Sequence, residues 1–527
     1  PNQSRAQPRG DNGSFSHLFE QGFGAPLINT DREGDRGDVW VKWWRRSVKL
    51  KGKQYTVPSG PIGRQFTSLL ANEIQAVADG GQSSERIFVL SATGLQRVKN
   101  VNAGGDVKRL LARRMNLWRD GKFEELVREA ERCDRQLGPT PRVNTEDHRV
   151  RIFTRLVSRG KLREATRWIT DRDTRGGALQ LNTLLSDGRT VLEELESKHP
   201  NQMRPAPESF LNVTEMPTLE DIDVSADHIA KVAHYLRGSA GPSGTDSDAW
   251  RDMLLRFGSH SHQLREAIAS LVRSLSNGIM EWDKIVALLA RRGVALDKNP
   301  GVRPIGVGEV LHRICAKTMV LITGVDLKEQ CGADQLCAGA KAGVESAIHG
   351  MTRKYEENET EGMLLIDATN AFNSLSRPLA LWNSRVLWPR CARFLFNSYR
   401  GYPTIVFRQN SETILSREGT TQGDPLGMLM YAVGTLPLIR RLKTEGFLQN
   451  WYADDSSCIG KLSDLKQWLT LLQTEGPKWG YFPEPSKSYL VIKPGLEVEA
   501  RSLFGDTALK VVYSQRFLGG MIGSIDS

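Results

Sequence analysis

Cysteine is scarce in this sequence and is not arranged for cross-linking. Six cysteines occur in 527 residues, and only Cys331 and Cys337 lie near one another. Because neither a Cys-x-x-Cys pair nor a paired histidine spacing accompanies them, we expect no zinc site and no disulfide framework. The pattern is typical of reduced cysteines in an intracellular protein, nuclear and cytoplasmic if the source is eukaryotic.

Long hydrophobic runs are also missing. No stretch of eighteen apolar residues occurs, which argues against a membrane-spanning helix and against a membrane partner. Residues 1–4 are polar and do not begin the apolar core that a secretory signal needs.

The charge balance is basic. The net charge is +10. The fractions of hydrophobic residues, 39 %, and charged residues, 25 %, are ordinary for a globular protein. A basic surface favours polyanions such as nucleic acid. A soluble protein with surplus lysines remains the alternative at this modest excess.

The first hundred residues are predicted to be a basic N-terminal arm. Residues 1–37 are rich in Gly, Asn, Asp, Arg and Ser without periodicity, which predicts a flexible or partner-dependent segment. Residues 41–55 interleave cations with tryptophan and tyrosine. Such rings can stack on bases while the cations meet phosphate. The alternative is an amphipathic strand or hairpin whose tryptophans belong to the core.

Two further regions precede the motifs. Residues 101–204 show apolar positions at helical spacing from Leu110 to Leu126, which predicts a helical N-terminal extension. Its basic second half is a candidate RNA-binding face, although a solvated helix surface is the commoner origin of such a run: Arg151, Arg155, Arg159, Lys161, Arg163 and Arg167. Residues 205–360 open with a proline-containing linker and continue as mixed helices and strands.

Three aspartates carry the candidate chemistry. Residues 363–366 form a short buried-strand pattern that ends at Asp367, and residues 450–457 resemble a hairpin with Asp454 and Asp455 at its tip. Neighbouring carboxylates repel and raise each other's pKa unless a cation neutralises them, so their convergence indicates a site for two Mg²⁺ ions. Taken separately, Asp367 could cap a helix and the Asp pair could be a solvated turn.

A glycine-containing loop at residues 417–426 leads into the apolar helical run 428–433. Glycine lets a backbone approach a bound nucleotide closely, and Gln422 could hydrogen-bond in such a pocket. A plain loop-to-helix cap is the alternative.

Taken in order, the runs Asp-x-x-x-Ala-Phe, Gln-Gly-Asp-Pro and Tyr-Ala-Asp-Asp resemble motifs A, B and C of reverse transcriptases. The resemblance is greatest to non-LTR (LINE-type) retrotransposon enzymes and their group II intron relatives, and it covers about residues 235–525. It implies an α+β right-hand polymerase with fingers and linker at 205–360 and a palm with motifs A to E at 361–527. Most of the thumb is expected to be missing from this chain.

The resemblance also implies roles for individual residues. Asp367, Asp454 and Asp455, with the carbonyl of Ala368, would bind two Mg²⁺ ions, or Mn²⁺ in their place. Phe372 would be the steric gate that favours dNTPs over NTPs. The other implied positions are the nucleotide contacts Gln422 and Gly423, the triphosphate cations Lys298 and Arg303, the general acid Lys487, and the primer grip Phe517, Leu518 and Gly519. Without the resemblance, Arg303 could be a structural residue and Lys487 an ordinary surface lysine.

We therefore expect an RNA-directed DNA polymerase of a retroelement whose partners are an RNA template, a DNA primer or target DNA, and dNTPs. One alternative is an RNA-dependent RNA polymerase on the same palm, against which the Gln-Gly pair and the bulky Phe372 argue. Another is a catalytically idle palm used as an RNA-binding scaffold, which we expect to have lost its metal carboxylates because unpaired buried charges destabilise a fold.

Overall fold

The computed structural model describes residues 15–28, 38–138, 146–158, 160, 162, 165, 166, 178–298, 301–408 and 412–523. Within these ranges the chain mixes α-helices with mostly antiparallel β-sheets, which confirms the predicted α+β class. Of the helices described, none combines the length and the apolar character needed to cross a membrane. Residues 1–14, residues 29–37 and four basic positions of the N-terminal extension lie outside the described residues: Arg159, Lys161, Arg163 and Arg167.

The N-terminal part is helical. Its helices are α1 (Ser16–Phe23), α2 (Val39–Ser47), α3 (Pro61–Ala78), α4 (Glu85–Gly94), α5 (Gly104–Arg119), α6 (Phe123–Gln136), α7 (Glu146–Ser158) and α8 (Val191–Ser197). The helical spacing noted from Leu110 to Leu126 thus corresponds to α5 and the start of α6.

The described parts of the basic arm predicted at residues 1–100 form helices that pack on the rest of the chain. In α1, Phe19 and Phe23 occupy one face at i and i+4, and Phe23 stacks on Phe396 with ring centroids 4.1 Å apart. The strand or hairpin alternative for residues 41–55 is wrong over residues 41–47, because Val39–Ser47 is a helix whose N-cap Asp38 accepts a hydrogen bond from the Trp40 backbone.

The tryptophans of α2 contact protein. Trp44 is buried, Trp43 donates its indole N–H to Glu124 at 2.6 Å, and Trp40 packs against Phe123 with centroids 4.7 Å apart. The core alternative for this basic aromatic stretch is therefore the correct one, in a helix and not in a strand.

The rest of the chain adds helices that pack around two sheets. They are α9 (Ala226–His234), α10 (Ser247–Leu255), α11 (Ser259–Asn277), α12 (Trp282–Leu289), α13 (Val310–Cys331), α14 (Gly343–Glu357), α15 (Ala371–Ser374), α16 (Arg377–Leu387), α17 (Pro389–Tyr399), α18 (Gly427–Arg441), α19 (Leu462–Glu475) and α20 (Glu497–Phe504).

The strands are β1 (Arg291–Asp297), β2 (Val302–Gly308), β3 (Glu361–Ile366), β4 (Thr404–Val406), β5 (Thr413–Leu415), β6 (Phe447–Tyr452), β7 (Asp455–Lys461), β8 (Tyr489–Val491), β9 (Lys510–Val512), β10 (Ser514–Phe517) and β11 (Gly520–Gly523). One sheet has the order β6-β7-β3-β8-β9, a second has β2-β1-β4-β5, and β10 pairs with β11.

The five-stranded sheet is covered on both faces. Along β3, Leu364 and Ile366 belong to the main helical core, whereas Met363 and Leu365 belong to a second core beneath α14 that includes Phe517. This alternation is the two-residue period of a strand with apolar neighbours on each side. Because a one-residue slip would exchange the two faces, the packing fixes the register of β3 and the position of the residue that follows it.

Candidate active site

The register of the five-stranded sheet brings the three predicted aspartates to one end of adjacent strands. Ile366, the last residue of β3, pairs with Ser456 of β7, and Asp455 pairs with Tyr452 across the β6–β7 hairpin. Asp367 therefore lies beside the hairpin tip that holds Asp454 and Asp455, although the two segments are distant in sequence. The tip is tight, and Ala453 adopts a left-handed conformation with φ 54°.

The three carboxylates influence one another electrostatically. Burial raises the pKa of Asp455 to about 6, and the charges of Asp454 and Asp367 contribute to the rise. Burial likewise raises the pKa of Asp454, Asp367 adds to it, and Lys298 and Arg303 oppose it. The site thus concentrates negative charge in a half-buried position, which a cation would stabilise.

The donor set fits a hard divalent cation in its chemistry. Carboxylate and carbonyl oxygens are the ligands that Mg²⁺ prefers. Ala368 and Pro483 face each other in an isolated antiparallel bridge. Its two hydrogen bonds run from Thr369 N–H to the Phe482 carbonyl and from Glu484 N–H to the Asp367 carbonyl, so the Ala368 carbonyl takes no part in them. Nowhere in the described ranges, however, are three His, Cys, Asp or Glu side chains close enough to form a ready-made metal cluster. The carboxylates are neighbours but are not closed around one point.

A cleft of about 430 Å³ opens beside these aspartates. Asp367 and Asp454 line its wall, and Asp455 is not among the wall residues. The other predicted residues in the wall come from three separate segments of the chain: Lys298, Arg303, Ala368, Phe372, Gln422 and Gly423. A cavity of this volume is typical of sites that bind small molecules.

The β1–β2 hairpin supplies the cations. Lys298 directly follows β1, its backbone N–H bonds to the carbonyl of Gly301 at 3.0 Å, and Arg303 is the second residue of β2. Both side chains are exposed toward the cleft. A guanidinium and an ammonium on a hairpin can bind phosphate oxygens, the former in a bidentate manner.

Phe372 lies in the cleft wall one residue into α15. Its ring packs on Tyr431 of α18 with centroids 4.7 Å apart, which restricts the ring's orientation. The backbone carbonyl of Phe372 accepts a hydrogen bond from Thr420 N–H at 2.7 Å. The loop that precedes α18 is thereby tied to the segment that follows Asp367.

Gln422 and Gly423 connect that loop to the cation hairpin. The N–H of Gly306 in β2 donates to the carbonyl of Gln422 at 3.0 Å. Gly423 has φ +108°, and a Cβ there would lie 2.9 Å from the Gly306 carbonyl oxygen. Only glycine meets both conditions, since other residues rarely adopt this φ and would collide with β2.

Two buried arginines hold the loop, and the sequence reading did not identify them. Arg377 donates to the carbonyls of Ser416, Glu418 and Gly419. Arg377 is the first residue of α16, and the other arginine, Arg291, is the first residue of β1. An Arg at the start of an apolar element is too weak a signal to identify either residue from the sequence.

The second buried arginine is Arg291 at the start of β1. It donates to Asp424 at 2.8 Å, and the Tyr399 hydroxyl donates to the same oxygen at 2.7 Å. Burial would raise the pKa of Asp424, but Arg291 and the hydrogen bonds to it lower the value instead. Asp424 of the Gln-Gly-Asp-Pro run is therefore a structural anion, a role that the motif did not reveal.

Four predicted residues lie elsewhere. Lys487 is exposed at the end of a short 3₁₀ turn and is not in the cleft wall, although the Oγ of the next residue, Ser488, accepts the Asp367 N–H at 3.0 Å. Phe517, Leu518 and Gly519 form the β10–β11 turn, where Phe517 is buried in the second core and Leu518 and Gly519 have positive φ.

One cation of the wall lies outside every motif and was not predicted. Lys198, immediately after α8, lines the same cleft as the aspartates and the cation hairpin. It is one of several lysines in the N-terminal extension, and no local pattern distinguishes it from the others.

Comparison with known proteins gives one partial relative. No family model matches the chain. Over 236 residues the chain is 27 % identical to the Retrotransposable element SLACS 132 kDa protein of Trypanosoma brucei gambiense, a match covering 42 % of this chain and 19 % of that protein. The chain thus spans less than a fifth of the relative's length, and over the matched residues it is related to a retrotransposon protein.

Two telomerase structures share a partial likeness at low similarity. Telomerase from Candida albicans with a TWJ fragment of telomeric RNA gives a TM-score of 0.34 at 11 % identity, covering 45 % of this chain and 46 % of that one. Apo telomerase from Candida tropicalis gives 0.34 at 10 %, covering 45 % and 47 %. At this level neither likeness carries an argument about function.

Proposed function

We propose that this chain is an RNA-directed DNA polymerase of a retroelement that extends a primer 3′-hydroxyl by two-metal nucleotidyl transfer. One observation carries the proposal. Asp367, Asp454 and Asp455 lie near one another at the ends of paired strands, and Asp367 and Asp454 line a cleft that Lys298 and Arg303 also line. Anionic ligands for divalent ions and cationic ligands for a triphosphate are thus presented to the same space.

In this proposal the chain's residues position the reactants. Asp367, Asp454, Asp455 and the Ala368 carbonyl would hold two Mg²⁺ ions, with Mn²⁺ as a substitute. When bound, such a pair activates the attacking oxygen and neutralises the leaving group. Arg303 and Lys298 bind the triphosphate oxygens, and Gln422 and Gly423 support the nucleotide. Positioning and electrostatics supply most of the rate.

Phe372 is proposed as the gate for deoxyribonucleotides. Phe372 lies in the same cleft wall as Asp367, and its ring packs on Tyr431. This position supports a role in crowding a ribose 2′-hydroxyl. The Tyr431 hydroxyl is buried and finds no hydrogen-bond partner among the described residues, so the ring itself is the useful contact. Phe372→Ala should then increase NTP use, and Tyr431→Phe should leave the preference unchanged.

The finer fold assignment belongs to the same proposal. The sheet β6-β7-β3-β8-β9 corresponds to the palm, the β1–β2 hairpin to the fingers, and the β10–β11 turn to the primer grip. The order of motifs A, B and C supports a non-LTR reverse transcriptase with group II intron relatives. The partial match to a retrotransposon protein supports the retroelement origin alone. An RNA template, a DNA primer or target DNA, and an intracellular place of action follow from that assignment.

Lys487 keeps its proposed role as general acid only if the turn at residues 485–487 moves toward the cleft when a nucleotide binds. Ser488 and Glu484, which flank this turn, are both hydrogen-bonded to the backbone of Asp367, so the turn is a direct neighbour of that aspartate. A pH profile of the Lys487→Ala variant that matches wild type would remove Lys487 from the mechanism.

The test is primer extension by the chain on an RNA template with a DNA primer, dNTPs and Mg²⁺. We expect extension that chelation of Mg²⁺ abolishes and that Asp454→Asn does not support. Asp506→Asn is the matched control, because Asp506 is exposed and pairs only across the surface with Lys466. Equal use of NTPs by wild type would indicate an RNA polymerase. RNA binding without Mg²⁺-dependent synthesis would indicate a scaffold.

A further inference from the structure

Residues 178–203 form a strap, by which we mean this segment throughout, that joins the N-terminal extension to the cation hairpin. Leu181, Val191 and Leu195 of the strap are buried in a small core with Val302 and Ile405 of the four-stranded sheet. At its start, Leu179 N–H donates to the Ala295 carbonyl of β1 at 2.8 Å. The strap is therefore packed against the back of the hairpin that carries Lys298 and Arg303.

The end of the strap crosses both loops of the candidate active site. The side-chain amide of Asn370, three residues after Asp367, donates to the Lys198 carbonyl at 2.9 Å. Met203 N–H donates to the Glu418 carboxylate at 2.6 Å in the loop before Gln422. Since the bonds at Lys198 and Met203 use backbone groups of the strap, they fix its path whatever side chain stands at position 198.

Lys198 belongs to the cleft wall, and its ammonium is weakly held. It lines the wall with Lys298, Arg303 and Asp367. Its ammonium contacts Glu194 at 3.3 Å, but Glu194 also pairs with Arg189 at 2.8 Å, so Lys198 shares this carboxylate. Such a partly exposed pair contributes little to stability and leaves the ammonium available for a stronger anion.

We propose that Lys198 is a third phosphate ligand of the cleft, contributed by the strap, which binds the terminal phosphates of the incoming nucleoside triphosphate. The proposal rests on the proposed polymerase function. Lys198 lies by the loop after Asp367, in the wall of the cleft that also holds Lys298 and Arg303. A lysine acts there as a mobile point charge beside the forked guanidinium of Arg303.

The consequence is that the N-terminal extension takes part in nucleotide selection directly. Because the strap is packed on the hairpin and bonded to both loops, the three cations Lys198, Lys298 and Arg303 surround the cleft from two separate segments. A variant that removes only the Lys198 charge should then weaken nucleotide binding without weakening the hold on template and primer.

The experiment compares Lys198→Ala, Lys198→Met and Lys198→Arg with wild type. Primer extension at saturating template-primer gives kcat and KM for dNTP, and titration of dNTP with Mg²⁺ into the full chain gives a dissociation constant that needs no turnover. We expect both neutral variants to raise KM and Kd for dNTP about tenfold, with Lys198→Arg near wild type. Lys354→Ala is the control, a partly exposed helix lysine that pairs with Glu357 at i,i+3 and lies outside the cleft wall.

The outcomes separate the two proposals. If wild type synthesises DNA and the neutral variants keep dNTP affinity within about twofold of wild type, the Lys198 assignment is overturned. If instead they weaken template-primer binding with an unchanged KM for dNTP, Lys198 contacts the nucleic-acid backbone and the assignment also fails. If wild type binds dNTP in a Lys198-dependent way but synthesises nothing, the site stands and the polymerase function falls. Lys198→Met guards against a packing effect, since it keeps the length of the side chain.

Discussion

The two larger sheets of the described chain present opposite charges to one cleft, and they hold these charges differently. On the five-stranded sheet, Asp367 and Asp454 are half-buried at strand ends that are packed on both faces. On the four-stranded sheet, Lys298 and Arg303 are exposed at a hairpin end. The anions are therefore placed by strand register and burial, whereas the cations have freedom to follow a ligand. We infer that the first set decides whether chemistry occurs and the second decides how tightly substrate is held.

The largest effect is expected on the anionic side. Replacing Asp367 or Asp454 with Asn should lower the rate of primer extension by at least about a thousandfold, because a charge that would hold the catalytic ions is lost. The same variants should melt at or above the wild-type temperature, since each removes a repulsive charge from a half-buried cluster. Primer extension measures the loss of rate, and thermal unfolding measures the melting temperature. A variant that stays active would contradict the inference that the anionic residues decide whether chemistry occurs.

A smaller effect is expected on the cationic side. Arg303→Ala should raise KM for dNTP by roughly 10- to 100-fold with a lesser change in kcat, in line with the loss of a charge-assisted hydrogen bond. Arg303→Lys should recover part of the loss, because it keeps the charge but not the fork. Steady-state kinetics measure both. Arg109→Ala, at a highly exposed arginine of α5, should behave as wild type; a fall in kcat alone for Arg303→Ala would contradict the division of roles.

The link between the two sheets can be broken at one glycine. Gly423→Ala should destabilise the chain by about 1–3 kcal/mol, because it forces a strained φ and a collision with the Gly306 carbonyl. It should also raise KM for dNTP, since it separates Gln422 from β2. Gly495→Ala is the matched control, with φ +98° but open space around the added Cβ. Denaturant unfolding of the two variants separates strain from contact, and equal losses would show that the contact with β2 is unimportant.

An effect on stability alone is expected at the base of the cation hairpin. Glu309, just after β2, is fully buried and accepts hydrogen bonds from the Ser243 N–H and hydroxyl. Burial raises its pKa from 4.5 to about 7. Between these values the folded chain keeps a proton that the unfolded chain releases, so this group lowers the free energy of unfolding as pH rises, by up to about 1.4 kcal/mol per pH unit.

Glu309→Gln should remove that pH dependence while keeping partners for Ser243. The measurement is the free energy of unfolding from pH 4.5 to 7.5, compared with Glu356→Gln on the exposed face of α14 as a control. A variant with the wild-type pH profile would show that Glu309 is ionised in the fold. The hairpin would then rest on a buried charge, and the contrast with the anionic sheet would weaken.

Sequence reasoning was most successful where the signal was local. The period of α5 and the strand before Asp367 could be predicted because each is defined by neighbouring residues. It failed in the stretch 41–55, for which a nucleic-acid contact and an amphipathic strand or hairpin were the two alternatives, because residues 39–47 form a helix with an Asp38 cap. Propensity was overridden there by packing of Trp40 on Phe123, a contact with a residue 83 positions further along the chain.

What the sequence determined by itself is the set of acidic residues and the short elements that end on them. An apolar run followed by Asp367, and a hairpin tip at Asp454 and Asp455, are local patterns, and the order of the motifs carried the resemblance. Only the tertiary structure decided that Lys198 lines the same cleft and that Lys487 does not. It also decided that Asp424 forms a buried ion pair with Arg291. These outcomes depend on how two sheets and a strap pack side chain against side chain, and periodicity along one chain does not contain that information.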